Sequence, residues 1–223
     1  SLYAYCHNNP IMLTDPDGRD DYYDESGNYL FTNQPKSDMI YVVSSVTKKE
    51  TQKTGQVVYN CHNRRTLDKA DLSAEAYSNI FTNVLERNGF DTSELVDDKI
   101  QVTVWEQGNG AKETDNYTDK ASMDGKALAV TDRDTSKGAL ITAFVWPEAT
   151  PEREIMSTVS NVVNLLGAHE FNGHYKKYPD YIHTKNTPDP IYKNMKKHPS
   201  WKTTNQDYKD YQNSVIKYNG YGW

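Results

Sequence analysis

The segment between Thr150 and Pro179 constrains the fold more than any other part of the chain. Ile155, Val159, Val162, Val163, Leu166 and Phe171 supply one apolar face, so Pro151–Tyr178 reads as a single long helix that needs a partner surface. Thr150 is a candidate N-cap, Glu152 and Glu154 place carboxylates at the positive helix end, and Pro179 stops the run. The partner surface has to come from upstream, where the pattern is extended. Asp38–Ser45 and Gln56–His62 are β-branched and Tyr-rich and are expected to form a hairpin across Lys48–Gly55. Lys99–Glu106 alternates, with Ile100, Val102 and Val104 on one side and Gln101, Thr103 and Trp105 on the other; Lys126–Thr131 and Ala139–Trp146 are further strands. One upstream helix, Leu72–Asn88, is capped by Asp71 or Ser73, gathers Ala76, Ile80, Val84 and Leu85 on one face and stops at Gly89. Gly108–Asp119 reads as a polar loop. After the turn-rich Asp180–Pro190, short helices at Ile191–Lys197 and Thr204–Tyr218 close the chain. Strands with one helix, then helices alone, imply an α+β fold, a mixed or antiparallel sheet packed against the long helix.

A hydrophobic fraction of 36% and a mean hydropathy of -0.87 are low, but 17 Tyr and 4 Trp provide bulky apolar surface for a modest core. The 223 residues suit one main globular domain with an N-terminal appendage. The net charge of -6 is spread out, and Lys193–Lys197 is the densest basic stretch, so a nucleic-acid partner is not expected. Cys6 and Cys61 form no metal-binding or disulfide pattern. No apolar run approaches the ~20 residues of a membrane span, and no signal peptide is visible, so export would depend on something outside these residues.

Chemistry concentrates at His169-Glu170-Phe171-Asn172-Gly173-His174. Hydrolytic zinc takes three protein ligands and a water whose pKa falls to about 7. In H-E-x-x-H the two histidines lie about 40° apart on the helical wheel; here the second comes one residue late, which on an ideal α-helix opens the angle to about 140°. A π-bulge, which brings positions i and i+5 to one side, repairs this, and Gly173 suits irregular backbone. His169 and His174 are therefore expected as ligands of a divalent metal, Zn2+ above others, with Glu170 as general base toward the metal-bound water. His183 leads as third ligand because it follows the stop at Pro179; His198, Asp180 and Asp189 are alternatives, and His7 and His62 are left as structural. Tyr178, Tyr181 and Tyr192 are candidate oxyanion stabilisers.

Three resemblances extend this reading. The H-E-x-x-G-H spacing resembles that of the dipeptidyl peptidase III family of zinc exopeptidases, although that family's downstream E-E-x-x-R element is not found here. Leu2-Tyr3-Ala4-Tyr5, Asn8-Asn9-Pro10-Ile11 and Asp15-Pro16-Asp17-Gly18 resemble the closing N-L-Y-x-Y-x-x-N-N-P-x-x-x-x-D-P-x-G segment of the core of Rhs/YD-repeat proteins. His169–His174, His183 and His198-Pro199-Ser200-Trp201-Lys202-Thr203-Thr204 resemble C-terminal domains of Rhs proteins from Bacteroidetes. These likenesses imply a division into 1–30, the end of an Rhs core, and 31–223, a C-terminal domain with a zincin-like metallopeptidase fold. They further imply the toxin or effector tip of a polymorphic protein, secreted or cell-surface, whose partners are the parent repeat shell, an immunity protein and a peptide or protein substrate. In zincin-like folds an edge strand before the metal helix binds substrate, which would make Thr142–Trp146 a substrate rail. A metal-dependent nuclease and a non-catalytic, metal-stabilised adhesion or binding domain are the competing functions.

Overall fold

The structure, a computed structural model, describes residues 20–33, 37–50, 57–106, 110–114, 128–134, 138–147, 150–181, 183 and 188–218. The Rhs-like segment Leu2–Gly18 lies outside them. Helices and mixed sheets share one main core, which makes the chain α+β.

Among the described residues, two four-stranded sheets carry the fold. In the first, β1 (Asp20–Asp24) lies between antiparallel β2 (Tyr29–Asn33) and parallel β3 (Ile40–Val43), with β6 (Arg65–Thr66) beyond β3. The turn between β1 and β2 is held by Asp24 Oδ1, which accepts from the amides of Ser26 and Asn28, each at 2.9 Å. Gly27 occupies a left-handed conformation (φ 80°), and a Cβ there would lie 2.3 Å from the Ala76 carbonyl. This sheet spans the division expected at residue 30, since β1 precedes it and β3 follows it.

The hairpin expected from Asp38–Ser45 is divided. Ile40–Val43 joins the first sheet, where Ile40, Val42 and Val43 are wholly buried. Ser45–Glu50 (β4) instead pairs with Val57–His62 (β5) in a separate ribbon. Burial decided the split, because the apolar half of the run fills the core and the polar half that follows Ser44 does not.

The second sheet has the order β8-β7-β10-β9, built from β7 (Gln101–Glu106), β8 (Gly110–Thr114), β9 (Ala129–Asp134) and β10 (Gly138–Val145). β7 and β10 run parallel; the outer pairings are antiparallel. Two expectations change here. Gly110–Thr114, within the expected polar loop, is a strand, because backbone pairing with Val104–Glu106 and Thr103 needs no apolar alternation. β10 is central and not an edge: β9 folds back along it from Gly138↔Asp134 to Ala143↔Ala129, while β7 covers its other side.

Helix α1 (Ala74–Arg87) is capped by Ser73, whose hydroxyl accepts from the Ala76 amide, and buries Ala76, Ile80, Phe81, Val84 and Leu85 against β7. The long helix expected over Pro151–Tyr178 is three pieces: α2 (Pro151–Ile155), α3 (Val159–Val162) and a π-helix (Val163–Lys177). The break has a partner. Thr158 is extended (φ -117°, ψ 146°) and bridges Met39, and the Ile40 amide donates to the Ser157 carbonyl at 2.8 Å. Local helix propensity yields to this tie between the helical segment and the first sheet. The π-helix then crosses β9 and β10, and α4 (Pro190–Lys197) packs on it. A turn at Pro199–Lys202 and α5 (Gln206–Tyr218) complete the described chain.

Candidate metal centre

The i+5 spacing of the histidines is met by backbone geometry extending over the whole site. The Tyr178 amide donates to the Gly173 carbonyl at 2.9 Å, an i to i-5 bond, and this pattern runs from Val163 to Lys177. His169 and His174 thereby lie on one side, with ring centroids 5.1 Å apart. Gly173 plays a different part from the one its lack of a Cβ suggested. It is absent from the positive-φ residues; instead a Cβ on it would meet Ile191 Cγ2 at 2.6 Å, so the missing methyl lets α4 close on the π-helix.

His183 joins the pair from the connection after Pro179. Its Nε2 lies 3.0 Å from His174 Nε2, and its ring is 5.8 Å from that of His169. Ligand atoms of the three imidazoles all fall within 4.8 Å of one another, and they are the one group among the described residues that could hold a metal ion. Tetrahedral zinc, with nitrogen at about 2.0–2.1 Å, would place neighbouring ligand atoms about 3.3 Å apart, so His174 and His183 are already at nearly that separation. His169 Nδ1 is buried without a hydrogen-bond partner.

The electrostatics favour neutral ligands. Burial, reinforced by His174 and His183, holds His169 well below the ordinary histidine pKa. Burial and then His183 bring His174 down to about 4, against a smaller opposing pull from Asp189. Both rings are uncharged at neutral pH, the form a metal requires.

Glu170 is 3% exposed, and its Oε2 accepts from Thr131 Oγ1 on β9 at 2.7 Å. Burial raises its carboxyl to about 7, a rise that the Thr131 bond and His183 oppose. Its Oε1 lies 4.0 Å from His169 Nε2. The carboxylate thus sits beside the imidazoles and against the sheet edge.

The tyrosines divide. Tyr192, on α4, lies 4.8 Å from the His169 ring and 5.4 Å from His183. Tyr181 meets His183 edge-on at 5.8 Å, and its hydroxyl is buried without a partner. None of the described ring contacts joins Tyr178 to the three histidines; its amide and carbonyl close the π-helix and the following turn.

The alternative ligands lie elsewhere or have other work. His198 caps the turn at Pro199–Lys202, with its Nδ1 2.8 Å from Ser200 Oγ. The rest of its motif is structural too: Ser200 Oγ accepts from Asn164 at 3.0 Å, and Thr203 and Ser160 hydroxyls pair at 2.8 Å, docking this turn on the helices. Asp180 is exposed and outside the histidine group. Asp189 is wholly buried and holds His183 Nδ1 at 2.5 Å. Bonds from His183 and from the Ile191 and Tyr192 amides outweigh the upward push of burial, keeping its carboxyl below the usual range. Asp189-Pro190 carried a sequence signal as a helix start, but its partner His183 did not follow from it. Thr131 had no signal at all.

No protein-family model, curated protein or solved structure matches this chain.

Proposed function

We propose that this chain is a zinc-dependent peptide hydrolase in which His169, His174 and His183 hold the metal and Glu170 is the general base. The convergence of three imidazoles beside a buried carboxylate carries the reading. Bound zinc supplies a Lewis acid and a water acidified to about pKa 7. Glu170 takes a proton from the nucleophile and returns it to the leaving amine, while Thr131 orients its carboxylate. Tyr181, whose ring meets His183 edge-on and whose buried hydroxyl has no partner, is the favoured oxyanion donor.

The sheet supports a peptide substrate. β9 pairs only with β10 among the described residues, and Thr131 ties it to Glu170. The substrate rail is accordingly β9, in place of Thr142–Trp146: an extended peptide adding to it on the side away from β10 would run past the base. The fold we propose is zincin-like, with β9, β10 and the metal helix following one another in the chain. A net charge of -6 counts against a nucleic-acid substrate. The Rhs likeness of Leu2–Gly18 supports an effector tip of a polymorphic protein, secreted or surface-borne, with the repeat shell and an immunity protein as partners.

The test joins metal content to cleavage of a peptide library by purified wild-type and Glu170→Gln proteins. Zinc in both and cleavage by the wild type alone is expected. Equal cleavage by a fully metallated Glu170→Gln variant would reject the mechanism.

A further inference from the structure

We infer that Asp189 is a positioning residue that sets the tautomer of His183 and couples the third ligand to the start of α4, an inference that rests on the metal-site reading above. Its two oxygens do separate jobs. Oδ1 accepts from the amides of Ile191 at 2.9 Å and Tyr192 at 3.1 Å, the N-cap of α4. Oδ2 takes His183 Nδ1 at 2.5 Å. A carboxylate only accepts, so His183 carries its proton on Nδ1 and presents a bare Nε2 toward His174, 3.0 Å away. The carboxylate is 0% exposed and cannot turn to water without uncapping the helix.

The consequence reaches beyond one ring. α4 places Tyr192 4.8 Å from His169, and Ile191 fills the space left by Gly173. One side chain therefore registers the connection after Pro179, α4 and the π-helix against one another, and metal uptake depends on that register.

Asp189→Asn separates the two jobs. Asn caps a helix as well as Asp does, but its amide can donate to Nδ1, which moves the His183 proton to Nε2, the ligand atom. Zinc titration of the full chain against a competing chelator is expected to give about 10–100-fold weaker binding, with helix content by circular dichroism unchanged. Nitrogen NMR of the metal-free proteins is expected to show His183 as the Nδ1–H tautomer in the wild type and Nε2–H in the variant. Asp189→Ser, which keeps a cap and withdraws the acceptor, is expected to weaken zinc similarly and provides a second route. Wild-type zinc affinity in both variants, or an unchanged His183 tautomer, overturns the positioning role alone. A wild-type protein that takes up no zinc overturns the metal centre and this inference together.

Discussion

At the scale of single residues the site divides holding from reacting. Replacing His169, His174 or His183 with Ala should strip metal, because two remaining ligands rarely retain zinc against buffer. Glu170→Gln should keep full metal and lose roughly 10²–10⁴-fold in rate, the contribution of positioned proton transfer. Elemental analysis beside peptide cleavage separates the two classes. Thr131→Val removes the hydroxyl that Glu170 accepts from. A hydrogen bond to a charged group is worth about 1.5–3 kcal/mol, so the rate should fall roughly 10–100-fold with metal unchanged. An unaltered rate would show that the β9 hydroxyl does not orient the base.

At the scale of elements, the π-helix depends on its packing against α4. A Cβ at position 173 would sit 2.6 Å from Ile191 Cγ2, a buried side chain on a helix whose start is fixed by Asp189. Gly173→Ala should destabilise by about 1–3 kcal/mol, the usual result of overpacking, and weaken zinc by shifting α4. Adding Ile191→Ala should restore part of the zinc affinity, because the clash is relieved. A double-mutant cycle with no coupling between the two positions would contradict this account. Within the same core, Ser73→Ala removes the cap of α1 and should lower stability by about 1 kcal/mol in urea unfolding.

At the scale of the molecule, metal and fold are linked because the ligands come from the π-helix and from the connection beyond it. Free zinc at 100 times its dissociation constant stabilises by about 2.7 kcal/mol, which for a chain of this size raises Tm by roughly 5–10 °C. Calorimetry with chelator and with zinc checks this; identical transitions would mean that the centre takes no zinc. Alkaline pH tests the core near α1. Burial, partly offset by Arg153, lifts the Tyr77 phenol from 10.0 to about 12. Between those values the unfolded chain gives up the proton first, so the contribution is full below pH 10 and falls as pH rises toward 12. Unfolding free energies measured from pH 9 to 12 should decline, and Tyr77→Phe should make the decline shallower.

The sequence by itself determined what local periodicity and spacing encode. The Ala76–Leu85 face, the Ser73 cap, the strands near 101–106 and 138–145 and the short closing helices were legible because each signal lies within a few residues. Likewise, His169 and His174 one residue too far apart for an α-helix already required i+5 geometry, and the stop at Pro179 pointed to His183. Only the tertiary structure decided which strand is the edge, because edge status depends on which partners claim the neighbouring strand. Only it broke the long helix at Met156–Thr158, where a bridge to Met39 outweighs local propensity. The same holds for Thr131 beside Glu170 and Asp189 beside His183. Hydrogen bonds between side chains of different elements leave no periodic trace, and they exist only once packing has brought those elements together.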